Sequence, residues 1–373
     1  MRQASPVRWR IWPVLVPLGA LAGLAILWIG LWFYGAGKAD AAITGWRERE
    51  LRVGRAYACE SQTVGGFPFQ IKVSCTQPRI ELGHENPPLA VHAGDLLVFA
   101  QVFEPTRLAA YLVGPLTVGE ASQDPRYRAN WTSAEVSARG TPRAPEEVSF
   151  TIDNPKVDQL ADGNAKFAFT AQHVDIDGRI VEGSAARDPV IGMTLHLAAA
   201  AAPQLHPITA EPIDADVSAV LRGLADFAPK PWPARLRELQ ERGGSIEITK
   251  ARAQQGDTIA VSTGALALTP HGTLEGQLEV TVAGIERILK ALDLDRIMAE
   301  GRIGASLNSL DKIIPGLGRL ARQNAAPGIV AGLGMIGQKT TLEGRSAVAL
   351  PLRFADGAVS LGPIPVGRVP PLF

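Results

Sequence analysis

The 373-residue chain is poor in reactive side chains: two cysteines, four methionines, four tyrosines and six histidines. Cys59 and Cys75 lie too far apart for a CxxC redox pair, and no His or Cys stands near them to complete a zinc site. The histidines (His84, His92, His173, His196, His206, His271) show no HExxH or other metal spacing. No G-x-S-x-G nucleophile elbow occurs. An excess of charge of one sign is also missing, with 37 basic and 37 acidic residues. The first ten residues hold Arg2, Arg8 and Arg10 and no acid, so the rest carries 34 basic against 37 acidic residues. Nothing in that balance is the clustered positive charge of a nucleic-acid binder. Two short polar stretches, "ASQDPRYRAN" and "RGTPRAPEE", are the only candidates for disorder.

What the chain does have begins at its N-terminus. No charged residue occurs from Ile11 to Gly37, and the apolar core "IWPVLVPLGALAGLAILWIGLWFY" covers residues 11–34. About 20 apolar residues span a bilayer as a helix. Trp9, Trp12, Trp28, Trp32 and Tyr34 lie near the two ends, where amphipathic rings favour the interface. A cleaved signal peptide is the alternative, with "ADA" at 39–41 as its small-residue site. The run exceeds the usual h-region of about 7–15 residues, so it reads as an uncleaved anchor. Arg2, Arg8 and Arg10 place residues 1–10 in the cytoplasm and the remainder outside it. This gives a single-pass inner-membrane protein: anchor 11–34, juxtamembrane segment 35–58 and periplasmic body 59–373, as one unit or two halves, 59–212 and 213–373.

Between the cysteines, "CESQTVGGFPFQIKVSC" contains Gly65, Gly66, Phe67, Pro68 and Phe69. A hairpin turning near Gly65–Phe67 sets Cys59 opposite Cys75, at a separation suited to a disulfide. An oxidising compartment would preserve the bond; two reduced, buried thiols are the alternative.

The body reads as α+β, a long curved antiparallel sheet with a few packed helices. Strand candidates include "DLLVFAQVF", "GPLTVGE", "YRANWTSAEVSARG", "EEVSFTIDNPKV", "NAKFAFTAQHVDID" and "IGMTLHLAAAA", parted by turn residues about every ten positions. Helices are expected over "IDADVSAVLRGLADF", with Val217, Val220, Leu221 and Leu224 on one side, and over "WPARLRELQERGG", "IERILKALDLDRIMAE" and the stretch from Leu307 to Gln338. "ADG" at 355–357 signals a hairpin. No fixed repeat period emerges.

Motif matches are weak. "GLGMIG" at 332–337 fits G-x-G-x-x-G but lacks its strand and acidic partner, and "GLGMIGQKT" misplaces the lysine of a phosphate loop. "SLDK" at 309–312 lacks the companion elements of penicillin-binding enzymes and suits a helix cap. "HVDIDG" sets His173, Asp175 and Asp177 on one strand face. These three could ligate a metal, or belong to a half-exposed strand that ends in a turn. No catalytic residue, metal or cofactor is therefore assigned. The remaining signal is apolar. "VIGMTLHLAAAAA", "GALALTP" and "GIVAGLGMIG" would line a groove on a curved sheet, or simply form its core.

"GGFPFQIKVSCTQPRIEL", "HGTLEGQLEVTVAGIERILKAL" and "FADGAVSLGPIPVGRVPPL", after a membrane-anchored start, resemble an uncharacterised family of alphaproteobacterial envelope proteins, domain of unknown function number 2125. More loosely, the strand-rich body resembles AsmA-like envelope proteins, which implies lipid movement or outer-membrane upkeep. With this resemblance, Gly65 and Gly66 permit a tight reversal, and Pro68 directs Phe67 and Phe69 at the sheet beneath. The expected function is non-enzymatic: binding or guiding lipid or another apolar ligand in a sheet-lined groove. The alternative is a scaffolding partner of another envelope protein, with no ligand. An unrecognised hydrolase would have only the His173–Asp177 strand as its site.

Overall fold

The computed structural model describes residues 12–83, 87–141, 144–161, 164–205, 207–228, 230–284, 337–361 and 364–373. The expected helices over 285–300 and 307–336, "SLDK" and nearly all of "GLGMIG" lie outside the described residues. The chain opens with helix α1 (Trp12–Arg52), 41 residues without a break. At 1.5 Å per residue it is about 60 Å long, twice a hydrocarbon core of about 30 Å. The helix is therefore longer than a bilayer span requires, and its C-terminal part joins the apolar segment to the body as one rod.

Among the described residues, twenty-three strands follow. The first fourteen are β1 (Arg55–Ala58), β2 (Ser61–Gly65), β3 (Gln70–Thr76), β4 (Arg79–Leu82), β5 (Leu89–His92), β6 (Asp95–Gln101), β7 (Glu104–Val113), β8 (Leu116–Glu120), β9 (Tyr127–Asn130), β10 (Ser133–Thr141), β11 (Ala144–Asp153), β12 (Lys156–Ala161), β13 (Asn164–Thr170) and β14 (His173–Ser184). They form two sheets whose orders correspond: β1-β4-β5-β8-β9-β12-β13 in the smaller, and β2-β3-β6-β7-β10-β11-β14 at the start of the larger. Consecutive members of the two sheets are separated by only two residues. The joints are Cys59-Glu60, Gln77-Pro78, Ala93-Gly94, Gly114-Pro115, Trp131-Thr132, Asn154-Pro155 and Ala171-Gln172. Seven long strands are thus each creased at one level, and the sheet folds along that line.

Hydrogen bonds keep the ladder closed through the crease. Gln77 N–H donates to Gly94 O (2.8 Å), Gly94 N–H to Val113 O (3.0 Å), Thr132 N–H to Asp153 O (2.9 Å) and Asn154 N–H to Gln172 O (2.8 Å). Proline stands at three joints because it cannot continue a regular ladder. The creased strands correct the expected single strands "YRANWTSAEVSARG", "EEVSFTIDNPKV" and "NAKFAFTAQHVDID". They also supply the missing period, since the X-Pro joints at 78, 115 and 155 recur every 37 to 40 residues.

Beyond the crease, among the described residues, only the larger sheet continues, through β15 (Arg187–Ala200), β16 (Ile213–Arg222), helix α2 (Trp232–Glu241), β17 (Ser245–Gln255), β18 (Thr258–Leu268), β19 (Leu274–Ala283), β20 (Gln338–Leu342), β21 (Arg345–Ala355), β22 (Ala358–Leu361) and β23 (Ile364–Arg368). Among the described residues it reaches sixteen strands, all of whose pairings are antiparallel, and β20 pairs the part of β21 that β22 leaves free. Leu236 and Leu239 of α2 pack with Leu224, Leu221, Ile191, Leu268 and Phe373.

Two expectations fail here. The stretch "IDADVSAVLRGLADF" is strand β16 and the loop after it, not a helix. Ile213, Ala215 and Val217 alternate with Asp214, Asp216 and Ser218, so the pattern also fits period two. Pairing with β15 on one side and β17 on the other selects that period. The polar stretches 121–130 and 139–147 are ordered in their described parts, as the β8–β9 connection with β9 and as the β10–β11 hairpin.

Candidate functional site

Directly opposed residues on neighbouring strands share a face. Traced through the larger sheet, the register aligns Val64, Val73, Val98, Ala110, Val136, Phe150, Ile176, Leu195, Val217, Ala251, Ser262, Val280 and Leu350. Twelve of these thirteen are apolar. The strand spacing of about 4.8 Å makes the row roughly 58 Å long. A flanking row on the same face includes Cys75, Leu96, Leu112, Ile152, Val174, Leu197, Ala253 and Val282. On the other side run Ile71, Leu108, Val148, Met193, Ile248 and Leu278. The intervening residues face the opposite way and are largely polar, as in the run Thr151, Asp175, His196, Asp216 and Arg252.

The smaller sheet has an apolar face too, through Ile80, Val91, Val118 and Tyr127, and through Leu116, Ala129, Val157 and Phe169. Phe169 packs against Ala171, Val174 and Ala200, together with Leu197. Residues on the two arms of a bend meet on its concave side, so both apolar faces line the inside of the fold. The result is an apolar trough with a polar exterior. Its wall is not sealed by the described elements at mid-length, where Ile176 is 43% exposed. The single hydroxyl of the row, Ser262 Oγ, is buried with no hydrogen-bond partner among the described residues.

Helix α1 lies over the apolar side at the first end. Gly35 sits beside Ile71, Gln62 donates to Asp40 (2.9 Å), and Arg47 donates to Cys59 Sγ (2.9 Å). Trp32 and Ala36 are buried there. Cys59 and Cys75 form a disulfide, with their Cα atoms 5.4 Å apart. The register differs from the expected one: Cys75 opposes Gln62, and Cys59 reaches it from the crease joint before β2. The turn is Gly66–Phe69, offset from the midpoint between the cysteines. Only Gly66 of the glycine pair needs its freedom, having φ +98° with room for no Cβ against Gln70 O. Replacing Cys59 with Ser is expected to cost about 3 kcal/mol under oxidising conditions. Thermal melts with and without reductant check this; an equal loss in both buffers would assign the effect to packing rather than to the bond.

The hairpin rings correct another expectation. Phe67 and Phe69 do not point at the sheet. They project from the tip and meet Trp32 and Trp28 of α1. Nothing in the residue pattern distinguished these tryptophans from an ordinary interfacial belt.

His173, Asp175 and Asp177 fall on the polar exterior, where neighbouring strands supply their partners. His173 Nδ1 is 2.7 Å from Asp153 Oδ1, Thr151 donates to Asp175 (2.6 Å), and Ser149 donates to Asp177. The Ser133 hydroxyl, and then His173, hold the Asp153 carboxyl below its ordinary range. Among the described residues no three His, Cys, Asp or Glu side chains gather as a metal-ligand set. These contacts are cross-strand pairs that stabilise the solvated face.

Among the described residues, one helix is long and apolar enough to cross a membrane. With the folded sheet behind it, the molecule is a single-pass membrane protein that carries a long, curved antiparallel body with an apolar inner face. The chain belongs to a family described as an uncharacterized protein conserved in bacteria (DUF2125), whose profile matches residues 32–370. No curated protein matches it. The match takes in the hairpin, every crease joint and all but the last three residues of the body, and begins inside the anchor helix.

Proposed function

We propose that this protein is a non-enzymatic cell-envelope component that holds or guides lipid, or another elongated apolar ligand, along the creased sheet. The observation that carries the reading is the register over thirteen strands, apolar at twelve of them, with solvent-accessible side chains at mid-length. A core alone would not need an apolar row of about 58 Å that the described elements leave uncovered at mid-length. Positive charge at Arg2, Arg8 and Arg10 supports a cytoplasmic N-terminus, and the disulfide accords with a periplasmic body at the inner membrane.

Native mass spectrometry of the full chain, released from detergent, tests this. The expected result is one or more phospholipids bound stoichiometrically and recovered by extraction. A bare protein mass, unchanged after exposure to phospholipid vesicles, would overturn the ligand reading and leave a scaffold whose apolar face is covered by a protein partner.

A further inference from the structure

Three phenylalanines at the hairpin tips are more exposed than such rings ordinarily are: Phe67 at 50%, Phe69 at 58% and Phe103 at 70%. They belong to the β2–β3 and β6–β7 tips, which Val102 N–H joins by donating to Phe69 O (3.1 Å). Both tips rest on the anchor. Trp28 stacks on Phe103 with ring centres 5.5 Å apart, and Trp32 meets Phe67 edge-on at 5.5 Å.

The depth of Trp28 locates the tips. The first charged residue after the apolar run is Lys38, ten positions farther on. At 1.5 Å per residue, Trp28 lies about 15 Å closer to the membrane centre than Lys38. Interfacial headgroup regions are only about 5–8 Å thick on each side. The rings around Trp28 therefore lie at the level of the acyl chains.

The backbone of the tip suits that level. A polar group exposed to hydrocarbon is costly unless bonded. The indole of Trp28 donates to Pro68 O (3.0 Å), and that of Trp32 donates to Gln70 O (2.9 Å). Gln70 N–H donates to Gly66 O (3.0 Å), and Pro68 has no N–H to satisfy. A turn in water would need no indoles to occupy its carbonyls.

We propose that Phe67, Phe69 and Phe103 form a wedge inserted into the bilayer leaflet on the body's side, so that the body is seated in the membrane as well as tethered to it. The partner is a lipid surface, and the inference is independent of whether the trough carries a ligand. The wedge sets the first strands of the trough at the acyl-chain boundary.

The test uses the full chain in phosphatidylethanolamine/phosphatidylglycerol vesicles. Both native cysteines are in the disulfide, so Phe103→Cys introduces a single labelling site for a polarity-sensitive fluorophore. The expected result is blue-shifted emission, quenched by lipids with a nitroxide near the top of the acyl chain and protected from aqueous iodide. Leu205→Cys, at an exposed loop position of the body, is the aqueous reference. Iodide quenching of Phe103→Cys equal to that reference, with no nitroxide quenching, would overturn the proposal. If Phe103→Cys does not reach the membrane folded, Phe67→Cys is read by the same criteria. Loss of bound phospholipid in mass spectrometry would leave this result unchanged, which separates failure of the wedge from failure of the ligand reading.

Discussion

Replacing Ile176 with glutamate is expected to reduce co-purifying phospholipid at least tenfold while leaving the fold intact. Ile176 is the seventh of thirteen residues in the apolar row, between Phe150 and Leu195. A carboxylate there would face acyl chains without a partner, and burying an unpaired charge costs several kcal/mol. In the empty protein the same side chain reaches solvent, so thermal stability should change by less than about 1 kcal/mol. Lys250→Glu, an exposed change on the polar exterior, is the matched control and should retain lipid. Native mass spectrometry on both variants reads the outcome. Wild-type lipid stoichiometry in Ile176→Glu would remove the trough as the binding surface.

The second large effect is expected at the crease. A Cβ on Gly94 would stand 2.7 Å from Gly114 O and 2.9 Å from Val113 O. Both are backbone atoms of the next creased strand, and Val113 O already accepts the Gly94 N–H. Neither can retreat without opening the ladder. Gly94→Val should therefore cost about 2–3 kcal/mol, within the range of overpacked sites. Gly65→Val is the contrast, because a Cβ there meets nothing within 4 Å. It should fall within about 0.5 kcal/mol of the parent. Thermal or denaturant unfolding of the pair decides the matter. An equal, small effect at both positions would show that the crease yields to a side chain and that close backbone approach at Gly94 is not what maintains it.

These expectations depend on features of different visibility. The apolar runs "VIGMTLHLAAAAA" and "GALALTP" pointed to a lined sheet, and Ile191, Met193, Leu195, Leu197, Gly264, Leu266 and Leu268 do share its apolar face. Much of the candidate site was visible only as alternation, residue by residue. The register that aligns thirteen strands into one row is a property of pairings between distant segments. His173, Asp175 and Asp177 show the reverse case. Their shared strand face followed from period two, whereas their partners Asp153, Thr151 and Ser149 lie about 20 to 28 positions away on another strand.

The amino-acid sequence by itself determined the anchor, because a charge-free run of this length has no comparable place in water. It also determined most strands and the polarity of their two faces, because alternation is local and repeats every second residue. Tertiary structure decided the rest. Whether a strand creases at Asn154-Pro155 depends on its neighbours bending at the same level, since hydrogen bonds must carry the ladder through the joint. Whether 213–222 is strand or helix depended on β15 and β17 offering edges, as its residues suit both periods. Trp28 and Trp32 became receptors for a hairpin about 40 residues later only when α1 came to lie beside it. In each case the deciding term is an interaction between segments distant along the chain, to which local propensity is blind.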